Sequence, residues 1–513
     1  MRAAALTGFV LVLAGCHPAV VPAIPANYLR VDIDSSPLSL DPRYATDAVS
    51  ARIDELLFDS LLRLDQNGRF TGDLAASFEW RSPTALVFHL RPGVRLSDGR
   101  LLTARDVKYT YDSVLDPASL SPKRGGMEEL AGVDAPDDST VILRTRRPYA
   151  PALELGLLNV VPADTPAGAG ASRTPLGSGP FRLAGFVRDE WVILARNPYH
   201  PYAPGAVPGV AFKVVPDPTV CALELLEGSA QFTENDLPPA LLGYLRDRPR
   251  LTVSQSPGTS YQYLQFNFRD PRLRDLRVRQ AIAMAIDRPA LVRSLLYGTA
   301  RVASGMLAPE NWAYTGAVRQ YPYDPAAARR MLDRAGYRAG ADGLRFTLVY
   351  KTTQGEERML LAQALAAMLR QVGIGLRIRS YEWPTFYSDI QRGNFDLTSL
   401  AWIGITDPHH YFLVFDSAMI PPRGLNRGDY VNPRMDALLA QGDATIDPNQ
   451  RRAIYAAVQQ LAAEDLPYVS LWWQDNVAVM ASRVGGFKPY PNGSLRSLAS
   501  VHLGAEPLEA AVR

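Results

Sequence analysis

Two stretches of the chain alternate strand-like and helix-like patterns, and this recurrence limits the available folds more than any other feature. In the first, "GVAFKVV" reads as a buried strand, Pro216 and Pro218 bracket a helix start, "TVCALELLEG" ends at Gly228, and "AQF" begins a second strand. The second is longer: a strand over 344–350, a helix over 356–373, a strand over 374–381, a helix across "TFYSDIQRG", and a strand over 395–403. Such βαβ units build parallel sheets with right-handed crossovers. Two centres far apart in the chain therefore predict two α/β lobes, each with its own sheet. Ligands bind beyond the carboxyl ends of such strands, which points to the residues just after Ile403.

The remaining segments are consistent with this plan. Leu29, Val31 and Ile33 alternate with Arg30, Asp32 and Asp34, the period of a half-buried strand. Asp47 is placed to cap a helix whose Val49, Ile53, Leu56 and Leu57 share a face. Residues 60–170 mix short strands, helices and loops, among them a helix opened by Thr103 and Asp106 as a capping pair, with Val107, Tyr111 and Val114 as its stripe. Residues 164–180 are rich in Gly, Pro and small side chains and mark a crossing between domains. Asp275, Asp287 and Asp324 start three further helices.

With 513 residues, 47% apolar and 21% charged, the chain is long enough for two to four folded domains and too polar for a polytopic membrane protein. A net charge of +2 supplies no field for gripping nucleic acid. The N-terminus carries Arg2, then an apolar run over 3–15 that is too short to span a bilayer and suits a signal-peptide core. It ends in "LAGC", which resembles a bacterial lipobox and makes Cys16 the lipid-modified mature N-terminus. Pro18, Pro22 and Pro25 then block a helix and form a tether over 16–26. Cys221 reads as a small apolar residue on a helix.

No phosphate loop, HExxH pair, CxxC, GxSxG elbow or Rossmann glycine fingerprint occurs in the sequence. The reading is accordingly a non-enzyme without cofactor or bound metal. His409 and His410 are neighbours, but adjacent histidines do not complete an ion's ligand set by themselves.

A series of fragments in order then resembles the bacterial extracellular solute-binding proteins of family 5. They include "LDPRYATDAVSARIDELLFDSLLRLDQNG", "LVFHLRPGVRLSDGRLLTARDVKYTYDSV", "LGSGPFRL" with "ARNPYH", "LQFNF" with "RVRQAIAMAIDR", "YDPAAARRMLDRAGY", "FDLTSLAW", "YVNPRMDALL" and "DLPYVSLW". The resemblance implies a two-lobed α/β protein of the periplasmic-binding-protein-like class II type with an extra domain in the first lobe. A leader would occupy 1–15, the first lobe 27–59, 171–255 and 478–505, the extra domain 60–170 and the second lobe 256–477. The chain would cross between lobes around Ser254 to Tyr263 and again near Gln474 to Ala481. It implies a monomeric, lipid-anchored binding protein of the cell envelope that closes on a peptide or peptide-like solute and delivers it to an ABC permease and ATPase. Carriage of a non-peptide solute such as a metal chelate, which His409 and His410 would allow, is the alternative, as is a sensor or chaperone on the same fold.

Candidate ligand-binding residues follow from position: Tyr44 and Thr46 after the "LDP" segment, Tyr261 and Tyr263 near the crossing, Trp383 and Trp402 at strand ends, and Arg427 as a carboxylate partner. Trp472 and Trp473 are adjacent on a strand, so at most one faces the cleft. The family's peptide binders place an amine-pairing aspartate three residues after the tryptophan of the "AW" strand end. Here that position is Ile405, and Asp407 belongs to the following Asp-Pro turn, either facing the cleft or, as Asp-Pro pairs favour, forming the turn.

Overall fold

The computed structural model describes residues 23–168 and 175–505. Cys16, the leader over 1–15 and the first part of the tether lie outside the described residues, as does the middle of the 164–180 segment. Among the described residues no helix is long and apolar enough to cross a membrane.

The main sheet contains eleven strands: β1 (Leu29–Ile33), β2 (Phe181–Val187), β3 (Trp191–Arg196), β4 (Gly209–Val214), β5 (Phe232–Glu234), β6 (Leu251–Phe266), β7 (Ala300–Val302), β8 (Phe346–Thr353), β9 (Ile374–Tyr381), β10 (Leu397–Trp402) and β11 (Tyr468–Ala481). Their order is β9-β8-β10-β6-β11-β5-β1-β4-β3-β2, with β7 paired to β11. This corrects the expectation of two separate sheets. The two βαβ centres are present, but the long antiparallel pair β6 and β11 runs through both lobes and joins them into one sheet. In the first lobe β1 lies between β4 and β5 and parallel to both. In the second, β8 lies between and parallel to β9 and β10.

The pairing of β6 with β11 runs from Leu251 opposite Ala481 to Gln265 opposite Tyr468, and its register shifts between Ser256 and Ser260. That bulge holds Pro257, which cannot donate a ladder bond, and Gly258, where an added Cβ would sit 2.2 Å from the Gln474 carbonyl oxygen. Local sequence rules hold around it. Helix α1 (Ala48–Leu57) starts where Asp47 accepts the Ser50 amide at 2.8 Å, and it buries Ile53, Leu56 and Leu57 in the first-lobe core. In the extra domain, helix Ala104–Leu115 opens with the Thr103–Asp106 capping box and buries Val107, Tyr111 and Val114 against a four-stranded antiparallel sheet. The second lobe has two large cores, one holding Leu264 and Leu397, the other Tyr261, Tyr263 and Trp473, and a small cluster of Phe386, Ile390 and Phe395.

A buried polar network ties the extra domain to the second lobe. Arg451 grips Asp407 with two bonds of 2.6 and 2.5 Å, and both side chains are almost fully buried. Asp407 also accepts the His409 amide at 2.8 Å. His409 Nδ1 lies 2.8 Å from Asp443 and its Nε2 lies 3.3 Å from the Tyr149 hydroxyl. The Ala150 amide donates to the Asp443 carbonyl at 2.7 Å, and Thr406 donates to Glu154. Burial would depress His409, but the hydrogen bond and charge of Asp443 outweigh it and raise the imidazole. Burial and the Asp407 charge push Glu154 up to about 7.

Removing one member of a buried pair strands the other charge, which costs far more than a surface bridge. Asp407→Asn is therefore expected to lower stability by about 3–5 kcal/mol in urea denaturation, and adding Arg451→Met is expected to recover a large part of that loss. A loss below about 0.5 kcal/mol would mean that Asp407 serves only its turn.

Candidate functional site

Strand ends from both lobes converge on one cleft with a volume of about 460 Å³. From the first lobe come Asp34 and Ser35 after β1, Asn235 and Asp236 after β5, and Asp47 and Arg52 of the α1 region. From the second come Ile403 after β10 and Glu357 in the helix (Glu356–Arg370) that follows β8. These are the carboxyl ends of parallel strands, where the open-sheet rule places ligands.

The second-lobe side of the cleft is one row of the sheet. Ala401 on β10 is opposite Gln262 on β6, and Gln262 is opposite Trp472 on β11. All three line the cleft, joined by Ser260 and Gln474. Gln262 Nε2 donates to Ser399 Oγ at 2.7 Å and Gln474 Nε2 to the Thr299 carbonyl at 3.1 Å, which leaves both amide oxygens for a ligand. Asn235 adopts a left-handed backbone with φ +67°, which asparagine tolerates. Its side chain accepts the Val477 amide at 2.9 Å and donates to Asn476 Oδ1 at 3.1 Å, so this wall is fixed to β11.

Charge is distributed unevenly around the cleft. Asp47 is committed to capping α1, and Asp475 is held by Arg301 at 3.1 Å and Gln255 at 2.8 Å. Among the described residues Asp34, Asp236 and the exposed Glu357 have no such cationic partner, and Arg52 is the one cation in the lining. Burial, reinforced by the Asp34 charge and opposed by Arg52, raises Asp236 to about 7.

None of the eight residues expected from position lines this cleft. Tyr261, Tyr263 and Trp402 occupy the opposite face of the sheet from Gln262 and Ala401. Tyr261 is 2% exposed with its hydroxyl 2.7 Å from Ser470 Oγ, and Tyr263 stacks between Trp402 and Tyr468. Tyr44 is buried, donating to the Ser119 carbonyl at 3.1 Å and accepting the Gly168 amide at 2.7 Å. Thr46 is exposed one residue before the cleft-lining Asp47. Trp383 is 51% exposed and stacked on Tyr387. Arg427 is buried with its guanidinium 5.0 Å from the Trp402 and Tyr387 ring centroids and bonded to the Tyr387 hydroxyl at 3.1 Å. Asp407 is spent on Arg451.

His409 is spent on Asp443 and Tyr149, and His410 packs edge-on against Trp402. Burial, with the charges of His409 and Arg427, depresses His410 to about 3 and keeps it neutral. Among the described residues no group of three or more His, Cys, Asp or Glu is placed to hold a metal ion. Ile405 is buried in the second-lobe core, away from the cleft lining. Of the two adjacent tryptophans Trp472 faces the cleft and Trp473 the core.

The cleft residues missed from sequence were Asp34, Arg52, Asn235, Asp236, Gln262, Ala401 and Ile403. Strand parity was the available signal for Gln262 and Ala401. Once Tyr261 and Tyr263 are assigned to a core, Gln262 must face the other way.

Comparison with known proteins agrees with this architecture. Residues 69–418 match the family model for the middle part of bacterial extracellular solute-binding proteins, family 5. The chain is 27% identical to the oligopeptide-binding protein AppA of Bacillus subtilis, with 90% of this chain and 89% of that one covered. It is 28% identical to a probable di/tripeptide-binding protein 5 of Pseudomonas aeruginosa, covering 96% and 98%. Its fold superposes with a TM-score of 0.84 on NikA from Brucella suis, solved in complex with Fe(III)-EDTA, at 23% identity and covering 93% and 100%. The two-lobed architecture, the strand-end cleft and the family match over most of the chain lead to one conclusion: this chain belongs to the bacterial extracellular solute-binding proteins of family 5.

Proposed function

We propose that the chain is the substrate-binding component of an ABC importer and that it takes a peptide or peptide-like solute into the cleft between its lobes. The observation that carries this reading is the lining itself. Amide side chains at Asn235, Gln262, Gln474 and Asn476 surround a cavity bounded by both lobes. Side-chain amides offer both donors and acceptors, the complement of a peptide backbone. Two relatives covering nearly the whole chain are named as oligopeptide- and di/tripeptide-binding proteins, which supports the same solute class.

In this reading 27–59, 171–255 and 478–505 form the first lobe, 60–170 its extra domain and 256–477 the second lobe. The lobes close about the bulge in β6 because few other backbone connections cross there. The closed form is what a permease distinguishes from the open one. The protein acts outside the cytoplasm, held to the membrane by a lipid on Cys16, and its cleft binds without reacting.

Native mass spectrometry of the purified protein is expected to show added masses that fragment as peptides, and a metal-chelate mass would replace the peptide reading. Small-angle scattering with a saturating tripeptide mixture is expected to give a smaller radius of gyration, and an unchanged profile would point to a preformed site. Cys16→Ser is expected to move the protein from the membrane fraction to the soluble extract, because the acyl chains provide its membrane affinity. Unchanged fractionation would exclude that anchor.

A further inference from the structure

Glu234 is the last residue of β5, and its side chain points with those of Val31, Ile33 and Phe232 toward α1. It is 3% exposed, and among the described residues neither carboxylate oxygen has a hydrogen-bond partner. A buried carboxyl without a donor is costly, and a position surrounded by Ile33, Ile53 and Phe212 would be filled more stably by an aliphatic side chain. Glu234 also lines a small cavity of about 20 Å³, enough for one water-sized group. Asp236 and Arg52 line both this cavity and the main cleft, so the small cavity is a chamber directly beside the larger one.

Arg52 does not neutralise the chamber by contact and acts on Glu234 and Asp236 only through its longer-range charge. Asp236 is bonded by Thr233 at 3.3 Å, and Asp34 by Ser35 at 2.8 Å. Burial, with Arg52 opposing, raises Glu234 to about 7, and Asp236 is raised to the same level. Two neighbouring carboxyls that resist ionisation together are relieved by an incoming cation. Of the second-lobe carboxylates at the cleft, Asp475 is held by Arg301 and Gln255 and Glu357 is exposed, while Asp407 is held by Arg451 away from the lining.

We infer that Glu234 and Asp236, with Asp34 at the mouth, form a first-lobe subsite that takes a primary ammonium group of the ligand, from a lysine-like side chain or an amino terminus. The chamber's size selects a compact ammonium over a planar guanidinium. The inference rests on the peptide-cleft reading and deepens it by assigning the ligand's cationic group to a wall.

The test uses three probes measured by calorimetry on the full chain: N-acetyl-Ala-Lys-Ala, Ala-norleucine-Ala with a free amino terminus, and N-acetyl-Ala-norleucine-Ala, which has no ammonium. At least one ammonium-bearing peptide is expected to bind about tenfold or more tighter than the neutral one, the scale of a charge-assisted hydrogen bond. Glu234→Gln and Asp236→Asn are each expected to abolish most of that preference, read as the ratio of ammonium-bearing to neutral peptide affinity on the same variant. Ligand-free thermal midpoints report folding, and either variant alone suffices. Equal binding of all three peptides, or a preference that survives both variants, overturns the subsite and leaves peptide binding standing. If no peptide binds, the peptide reading fails, and thermal shifts with cadaverine against pentanol decide the subsite. Stabilisation by the diamine alone, lost in Glu234→Gln, supports it, and no stabilisation overturns it.

Discussion

The structure depends on the pairing of β6 with β11. These two strands belong to both lobes, so the first-lobe and second-lobe sheets are two ends of one sheet. A continuous ladder would make that sheet stiff. The bulge between Ser256 and Ser260 interrupts it where the strands cross, and the absence of a side chain at Gly258 lets β6 approach the Gln474 carbonyl. Cleft geometry follows from this arrangement. Gln474, Asp475 and Asn476 line the cleft because β11 passes under it, and Asn235 is fixed there by its bonds to Val477 and Asn476.

Carboxylates in this protein serve two opposite purposes, and burial alone does not tell them apart. Asp407 and Glu234 are both almost fully buried. Asp407 has a bidentate arginine and a backbone amide, so its charge is satisfied within the fold. Glu234 has neither. The difference lies in which elements pack against each one. Helix Pro448–Asp465 brings Arg451 to Asp407, whereas Glu234 meets aliphatic side chains and a guanidinium beyond contact distance. Complete satisfaction accounts for Asp407 as a structural charge, and the incomplete satisfaction of Glu234 beside a cavity is what the proposed subsite rests on.

Most secondary structure was legible in the sequence because periodicity and caps are local. Asp47, the Thr103–Asp106 pair, Asp275, Asp287 and Asp324 all start helices as their spacing requires. The single joined sheet was not legible, because nothing local distinguishes two strands that end at a lobe boundary from two that pass through it. Site residues were harder still. Choosing aromatics near strand ends selected Tyr261, Tyr263 and Trp402, which form one stacked cluster in a core. The cleft uses their neighbours Gln262, Ala401 and Ile403. A strand shows both faces within one residue, so a position right in the chain but wrong in parity points away from the ligand. Asp407 does form the turn that an Asp-Pro pair favours, accepting the His409 amide, but its second partner was not legible because Arg451 lies far along the chain.

The two walls of the cleft also divide the work of recognition. The second-lobe side presents Ala401, Ile403 and the edge of Trp472 together with the amide of Gln262, and its carboxylates are Asp475, held by Arg301, and the exposed Glu357. Apolar area is tolerant of sequence, so this side suits side chains of varied shape. The first-lobe side carries Asp34, Asp236 and Arg52 close together. Charges near a low-dielectric boundary discriminate strongly between ionised and neutral groups. The proposed closure would bring the wall carrying Asp34, Asp236 and Arg52 against the one carrying Ala401, Ile403 and Gln262, so that neither wall alone completes the site. A ligand that touches only the second lobe gains area without orientation, while one anchored to the first lobe is oriented before the second arrives. On the proposed function, that asymmetry would make the first lobe the determinant of which solutes are held and the second the determinant of how completely they are enclosed.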